Sequence, residues 1–168
     1  MKDARLGFGE NIIPLKAPVD SAGTAYATPY VDMKNQLSLT FLAYFGVITS
    51  ASADQSVVVT VEASTSTTSN ATEVALPFKY RLSGATGANS WGAVTSVAST
   101  GAAITTTDDG KAVIIEIDPA AIEAAHGQRD ARYVRLVVGI DAGGSVTLNS
   151  VVAITDPMYP QTTHLSAT

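Results

Sequence analysis

The sequence predicts an all-β fold, an antiparallel sandwich or barrel of about eight or nine short strands. Apolar and polar residues alternate over several short segments, as they do in half-buried strands. Turn signals recur at roughly 8–12-residue intervals, and no long helical period separates the strands, which argues against a parallel α/β sheet. With 168 residues, the chain has the length of one domain with a sizeable core.

The pattern divides the chain into three parts: an extended N-terminal arm at residues 1–34, a β-sandwich domain at residues 35–155, and an extended C-terminal tail at residues 156–168. Pro14, Pro18 and Pro29 interrupt the first part, and proline cannot donate to a strand ladder. We therefore expect at most one edge strand there, near residues 24–31. The arm is too apolar for a solvated tail, so we expect it to lie on a surface, its own or a partner's.

The sandwich domain opens with a segment that is apolar on both faces and continues to Ile48, as expected of a long central strand. Residues 56–63 then place alternate valines on one face. Residues 74–82 have the same period, but Pro77 interrupts them, which indicates an edge strand or a bulge. Two short strands are predicted next, at residues 91–97 and 102–106.

The second half of the domain contains two predicted hairpins and one helical turn. Asp108-Asp109-Gly110 marks a tight turn that returns the chain through residues 111–117. Asp118 and Pro119 are typical of a helix start, and they predict a short connecting helix at residues 120–125. The last predicted hairpin pairs residues 132–140 with residues 145–154, with this set facing inward on the second strand: Val146, Leu148, Val152 and Ile154.

The composition excludes several classes of partner. Charged residues make up 15% of the chain against 46% hydrophobic residues, and the net charge is −5. Nucleic acids and anionic membranes require clustered Lys and Arg, so neither is expected as a partner. No cysteine is present, so disulfides and zinc–thiolate sites are excluded. No signal segment or membrane span is evident, and we expect a soluble product without a targeting address.

Residues that could carry catalysis are few: His126, His164, the pair Asp108 and Asp109, and the pair Glu116 and Asp118. Neither histidine has the spacing of a catalytic triad or a metal site. Turn formation and helix capping account for both carboxylate pairs, although such pairs also serve glycosidases and Ca²⁺ sites. We therefore predict no catalytic residue, no metal ligand, no cofactor and no enzymatic activity.

Trp91 is the only tryptophan, and it stands beside Gly92 at a predicted strand start. We expect its ring to plug one end of the sandwich. The alternative is a stacking platform for a sugar ring, although carbohydrate modules usually expose several aromatic side chains. Contacts with a partner are instead predicted for apolar side chains of the two terminal segments: Phe8, Ile12, Ile13, Leu15, Tyr26, Tyr30, Met158 and Tyr159.

Four short blocks, in this order, resemble a known family: Phe78-Lys79-Tyr80-Arg81, Trp91-Gly92-Ala93-Val94, the segment Val113 to Asp118, and Tyr133-Val134-Arg135-Leu136. The chain resembles the small β-sandwich head proteins of tailed bacteriophages, the decoration or cement proteins that bind the outside of the capsid. The resemblance covers approximately residues 36–154. The terminal segments contribute nothing to it.

This resemblance implies a jelly-roll-like fold, assembly as a homotrimer or homodimer, and binding to subunits of the major capsid protein. The protein would be made in the host cytoplasm and would lie on the outer surface of the capsid in the virion. A protein that binds the assembled lattice and not its free subunits stabilises that lattice by mass action. Apolar terminal segments that cross subunit boundaries would enlarge the contact.

Residues 131–136 also resemble the late strand of discoidin-like carbohydrate-binding sandwiches. A carbohydrate- or cell-surface-binding module, such as a phage fibre or adhesin domain, therefore remains the alternative interpretation. Another virion role, such as a tail or minor capsid component, is also open. An enzyme would require a concave pocket where histidines and carboxylates converge, and the sequence does not indicate one.

Overall fold

The computed structural model describes residues 10–21, 23–49, 57–68, 73–126, 132–140, 145–146 and 148–158. Within these residues the chain is mostly β, with one short helix and one 3₁₀ turn. The predicted all-β class is confirmed. Short edge segments bring the number of strands in this part of the chain to fourteen.

The first sheet has six strands in the order β1-β14-β4-β11-β8-β9, and all its pairings are antiparallel. Its strands are β1 (Asn11–Val19), β4 (Gln36–Phe45), β8 (Phe78–Leu82), β9 (Thr95–Val97), β11 (Lys111–Ile117) and β14 (Asn149–Pro157). The predicted central strand is β4, which lies between β14 and β11.

The second sheet is also antiparallel and is built around β6 and β12. Two short strands, β7 and β10, pair with β6, and two others, β2 and β3, pair with β12. Its strands are β2 (Tyr26–Ala27), β3 (Val31–Asp32), β6 (Val57–Ser64), β7 (Val74–Leu76), β10 (Ala102–Ile104) and β12 (Tyr133–Ile140). A small additional pair consists of β5 (Ile48–Thr49) and β13 (Ser145–Val146).

One hydrophobic core joins the inner faces of the two sheets. Phe41 and Phe45 enter it from the first sheet, and Val59 and Leu136 enter it from the second. The predicted inward alternation is confirmed for β6 and for the first residues of β12, where these side chains are buried: Val57, Val59, Val61, Val134, Leu136 and Val138. The two antiparallel sheets therefore enclose a shared apolar interior, as in a β-sandwich.

The prediction of at most one edge strand near residues 24–31 is wrong, because the described part of the segment assigned to an arm contributes three strands, β1, β2 and β3, to the chain's own sheets. β1 pairs with β14 from Asn11 opposite Thr155 to Val19 opposite Asn149. The buried side chain of Asn149 donates hydrogen bonds from Nδ2 to the Val19 carbonyl (2.9 Å) and to Ser21 Oγ (2.5 Å). This segment therefore supplies an edge strand, the position where its prolines are tolerated.

The chain crosses from one sheet to the other where hairpins or bulges were predicted. At Pro77 it leaves β7 in the second sheet and enters β8 in the first. β10 and β11 belong to different sheets, and so do β12 and β14, so neither pair forms the predicted hairpin. The period-two pattern identifies the buried face of a strand, but it does not say which sheet the strand joins.

The inward-facing residues predicted for β14 are wrong, because the alternation is shifted by one position along the strand. Val151, Ala153 and Thr155 are buried, whereas Leu148 is 60% exposed. Leu148 has φ +49°, in the left-handed region, and β14 begins directly after it. This local turn changes the phase of the alternation, so that Val152 and Ile154 face outward.

The helix α1 (Pro119–His126) is the short connector that was predicted. Asp118 accepts a hydrogen bond from the Ala120 N–H at 2.9 Å, which is the expected capping contact. Ile122 anchors the helix in the core, where it is 3% exposed. The helix therefore closes one end of the sandwich and adds no layer of its own.

Candidate docking face

The outer face of the first sheet is more apolar than a solvated sheet surface requires. In β4, Phe41 and Phe45 point into the core, so Leu42 and Tyr44 point outward, because successive side chains of a strand alternate. Leu42 is half-buried and Tyr44 is 39% exposed. A strand whose inner face is already packed thus has a second, outward-facing apolar surface.

The strand register aligns such side chains in a row across four strands. Leu42 lies opposite Val152 of β14 on one side and opposite Ile114 of β11 on the other. Val152 in turn lies opposite Pro14 of the edge strand β1. With neighbouring strands about 4.8 Å apart, this row is roughly 14 Å long. We call these four residues, Pro14, Val152, Leu42 and Ile114, the apolar row.

A second row lies two residues along the strands from the apolar row, and it changes from apolar to polar from β1 to β8. Ile12 lies opposite Ile154, and Ile154 lies opposite Thr40. The row then continues through Glu116 and Lys79 on β11 and β8. An apolar centre with a polar margin is the usual composition of a protein-binding surface.

Arg81 and Trp91 lie at the β8 end of the apolar row. Arg81 is opposite Ile114, and its guanidinium carbon lies 5.5 Å from the centre of the Trp91 ring. Trp91 is 41% exposed, so it does not plug the core as predicted. Arg81 Nε is enclosed and has no hydrogen-bond partner among the described residues. The apolar row therefore ends at an arginine that lies against a half-exposed tryptophan ring.

The outer face of the second sheet has a different chemistry. Arg135 donates from Nε to Glu62 (2.9 Å), and its Nη2 contacts both Glu62 and Glu73 at 2.8 Å. Its guanidinium also stacks on the Tyr30 ring, 4.8 Å from the ring centre. Burial, together with the hydrogen bond that the Tyr30 hydroxyl donates to Glu73, raises the pKa of Tyr30 to about 12. We call these four residues, Arg135, Glu62, Glu73 and Tyr30, the ionic cluster.

A second arginine–aromatic contact lies beside the ionic cluster. Arg132 lies over the Tyr133 ring, with its guanidinium carbon 4.8 Å from the ring centre, and forms an ion pair with Asp32 at 3.3 Å. Tyr133 meets Tyr30 edge to face, with ring centres 6.5 Å apart. The charged groups at this end of the second sheet therefore have partners within the chain.

The predicted contact residues separate into four groups. Ile13, Leu15 and Tyr30 are buried inside this chain, at 7%, 8% and 4% exposure. Tyr26 is half-buried beneath Lys16, whose Nζ lies 3.9 Å from the ring centre. Surface suited to a partner is left on Ile12 (44% exposed) and Met158 (48% exposed). Phe8 and Tyr159 lie outside the described residues.

Three of the four acidic residues singled out in the sequence have structural hydrogen bonds. Asp118 caps α1. Asp109 accepts a hydrogen bond from the Ile48 N–H at 2.8 Å and so holds the start of β5. Burial would raise the pKa of Asp108, but hydrogen bonds from Lys111 and Thr105 outweigh it and lower the pKa. Turn and cap formation thus explain these carboxylates.

The described residues also contain a shallow cleft of about 450 Å³, where β8, β9 and β11 approach the start of α1. Phe78 and Ile117 supply its apolar wall, and Lys79, Glu116 and Asp118 supply its charged groups. The side chain of His126 and the whole of His164 lie outside what the structure describes. Within the described residues, no three His, Asp or Glu side chains are grouped so that they could hold a metal ion.

The sequence contained a signal for the docking face that the predictions did not use. β4 was recognised as apolar on both faces and was interpreted as a strand in the middle of a sheet. It is central in the sheet order, but among the described residues Tyr44 on its outer face is still 39% exposed. An apolar outer face on a central strand is itself a mark of a binding surface.

Among the described residues, no helix has both the length and the apolar character needed to span a membrane. Comparisons with protein-family models, with curated proteins and with solved structures give no match to this chain. The chemistry of the chain's own surfaces is therefore the observation that bears on its function.

Proposed function

We propose that this chain is a non-enzymatic structural protein that docks on other protein subunits through the outer face of its first sheet. The apolar row, four side chains aligned over four adjacent strands, is the observation that carries the proposal. A protein subunit is the partner that a broad face of this kind suits, because burial of apolar side chains there is favourable over the whole contact.

The partner we propose is the major capsid protein of a tailed bacteriophage, with this chain acting as a decoration protein on the outside of the virion. Support comes from the resemblance of its sequence blocks to cement proteins and from the two antiparallel sheets, whose strands contain three of those four blocks. A jelly-roll-like connection of the strands and a homo-oligomeric assembly are part of this proposal. Binding at many lattice sites would stabilise the shell by mass action.

The test compares one substitution on the two outer faces. Leu42→Lys places a charge in the middle of the apolar row, and Val137→Lys places the same charge on the outer face of β12 in the second sheet. Both native side chains are half-buried, which makes the pair a matched control. Cosedimentation would be measured with expanded shells of the phage that encodes this chain, assembled without it.

We expect wild type and Val137→Lys to bind the shells and to raise their melting temperature. Leu42→Lys should bind at least about tenfold more weakly, because a desolvated lysine at the centre of a contact costs more than about 1.4 kcal/mol. Equal binding by the two variants would show that the first sheet is not the docking face. Wild-type chain that stays in the supernatant would overturn the capsid function itself.

A carbohydrate-binding module is the second candidate, and the Arg81–Trp91 corner favours it. A half-exposed indole with an arginine against its ring offers a surface on which a sugar ring could stack. On this interpretation a glycan array would show binding that Trp91→Ala abolishes and Leu42→Lys leaves intact. An array with no positive spot would remove the carbohydrate candidate and leave the capsid proposal standing.

A further inference from the structure

The two edges of the first sheet differ in how they are protected. The β1 edge contains Pro14 and Pro18 with Lys16 between them, and its pairing with β14 shifts register on both sides of Lys16. Prolines, lysines and bulges on an edge strand prevent the addition of a further strand. The β1 edge therefore disfavours edge-to-edge pairing with a strand from another chain.

The β9 edge has none of these features. Its residues Thr95 and Ser96 are exposed, and the adjacent Val94 is 56% exposed. β9 pairs with β8 on one side, and no described strand pairs with it on the other. Alternate backbone N–H and C=O groups of such a strand point away from the sheet, where they are available to a further strand.

The surrounding sequence is also uncharged. Residues 82–107 contain no Asp, Glu, Lys, Arg or His, although the chain as a whole has 25 acidic and basic residues (15 + 10). This stretch includes β9 and also β10, which is an edge strand of the second sheet. Both of these edge strands are therefore free of charged residues.

We propose that a second copy of this chain pairs with the first through β9, antiparallel about a two-fold axis at Ser96. In such a pair each residue faces its symmetry counterpart, so Thr95 lies opposite Val97, and Ser96 lies opposite itself. A charged residue on the axis would face an identical charge, which is destabilising. An uncharged strand is thus the kind that can pair with itself.

The pairing joins two six-stranded sheets (6 + 6) into one continuous sheet of twelve strands. In this register, Val94 of one copy faces Ala98 of the other, and both side chains are exposed in the single chain. Their burial adds apolar contact to a short ladder. The inference does not depend on the docking function, because β9 lies at the opposite edge of the sheet from the β1 end of the apolar row.

The absence of native cysteine gives a direct test by cross-linking. Opposite residues of an antiparallel pair have Cα atoms about 4.5 or 5.5 Å apart, and both separations suit a disulfide. Ser96→Cys should therefore form a disulfide-linked dimer under mild oxidation. The matched control is Ser38→Cys, an equally exposed serine in the interior strand β4, which should stay monomeric on a non-reducing gel.

Sedimentation velocity over a range of concentrations supplies the second measurement. Wild type should show a monomer–dimer equilibrium, and Ser96→Lys should raise the dimer dissociation constant at least about tenfold, since it sets two lysines face to face. Circular dichroism checks that this exposed substitution leaves the fold intact. Equal cross-linking by the two cysteine variants, or a wild-type monomer at every concentration, would overturn the proposal. A wild-type monomer would also remove the homo-oligomeric assembly from the proposed function, whereas shell binding, measured separately, tests the docking function on its own.

Discussion

The outer faces of the two sheets differ in composition: the second sheet has paired charged groups, and the first sheet has partly covered apolar side chains. In the ionic cluster of the second sheet, Arg135 and Tyr30 direct their polar groups to Glu62 and Glu73, so that these groups are partnered within the chain. In the apolar row of the first sheet, Leu42 and its neighbours only partly cover one another. A surface whose groups are mutually satisfied has little to gain from a partner, whereas a half-covered apolar surface gains by burial.

This difference predicts a separation of roles. Substitutions in the ionic cluster should change the stability of the chain and leave its binding intact. Substitutions in the apolar row should weaken binding at little cost in stability, because those side chains are already half-exposed. Unfolding of the variants described next tests the stability half of this separation, and the shell binding of Leu42→Lys and Val137→Lys tests the binding half.

The largest effect is expected for Arg135→Ala. Its removal leaves Glu62 and Glu73 facing each other without a cation, and their side chains are only 22% and 26% exposed. We expect the free energy of unfolding to fall by about 2 kcal/mol, less than for a fully buried pair because some solvent reaches the carboxylates. Urea unfolding followed by circular dichroism measures it.

The control for Arg135→Ala is Arg132→Ala. Arg132 also pairs with a carboxylate and lies over a tyrosine ring, but its side chain is 42% exposed. An exposed ion pair of this kind contributes little to stability, so the free energy of unfolding should fall much less than it does for Arg135→Ala. Equal losses for the two variants would mean that the cluster is no more than a set of ordinary surface ion pairs.

A smaller effect is expected for Tyr30→Phe, which removes the hydrogen bond to Glu73. At pH 7 we expect a loss of about 1 kcal/mol in the free energy of unfolding. Because the folded state raises the pKa of Tyr30 from 10.0 to about 12, the contribution of the hydroxyl is complete below pH 10 and disappears as the pH rises towards 12.

The pH dependence distinguishes this hydroxyl from simple packing. Urea unfolding of wild type and of Tyr30→Phe at pH 8 and pH 11 should give curves that approach each other at the higher pH. Burial also raises the pKa of Tyr26, but that group is present in both proteins and cancels in the difference. A gap between the curves that is the same at both pH values would contradict the role assigned to the Tyr30 hydroxyl.

How far the sequence predicts this fold depends on the range of the interactions involved. The buried faces of β6 and β12 and the cap at Asp118 were predicted correctly, because alternation and capping are local. The sheet to which each strand belongs was not predicted, because the crossover at Pro77 depends on the distant strands with which β7 and β8 pair. A proline in a strand pattern indicates an interruption, but not its direction.

The candidate site was less predictable than the fold. Leu42, Val152 and Ile114 are far apart in the sequence, and only the register of three strands aligns them. A strand that is apolar on both faces has the same sequence pattern whether its outer face is covered or exposed. The phase of β14 depended on one residue, Leu148, whose left-handed backbone has no signal in its side chain.

The smallest effect we predict concerns that residue, because Leu148 sets the phase that directs Val152 to the docking face. A non-glycine residue with φ near +49° is strained by about 1 kcal/mol, and glycine removes the strain but adds freedom to the unfolded chain. Leu148→Gly should therefore raise the free energy of unfolding by about 0.5 kcal/mol. Leu37→Gly is the matched control, a leucine at 48% exposure against 60%, in the strand β4.

Leu37 has no left-handed backbone that glycine could relieve, so the added freedom of the unfolded chain should lower the free energy of unfolding of Leu37→Gly by roughly 0.5–1 kcal/mol. Opposite signs for the two variants, measured by urea unfolding, would show that the backbone at Leu148 is strained in the folded state. Similar losses for both would mean that the Leu148 side chain stabilises the turn despite its exposure. In that case the outward phase of Val152 and Ile154 would depend on the pairing of β14 with β1 and β4 alone.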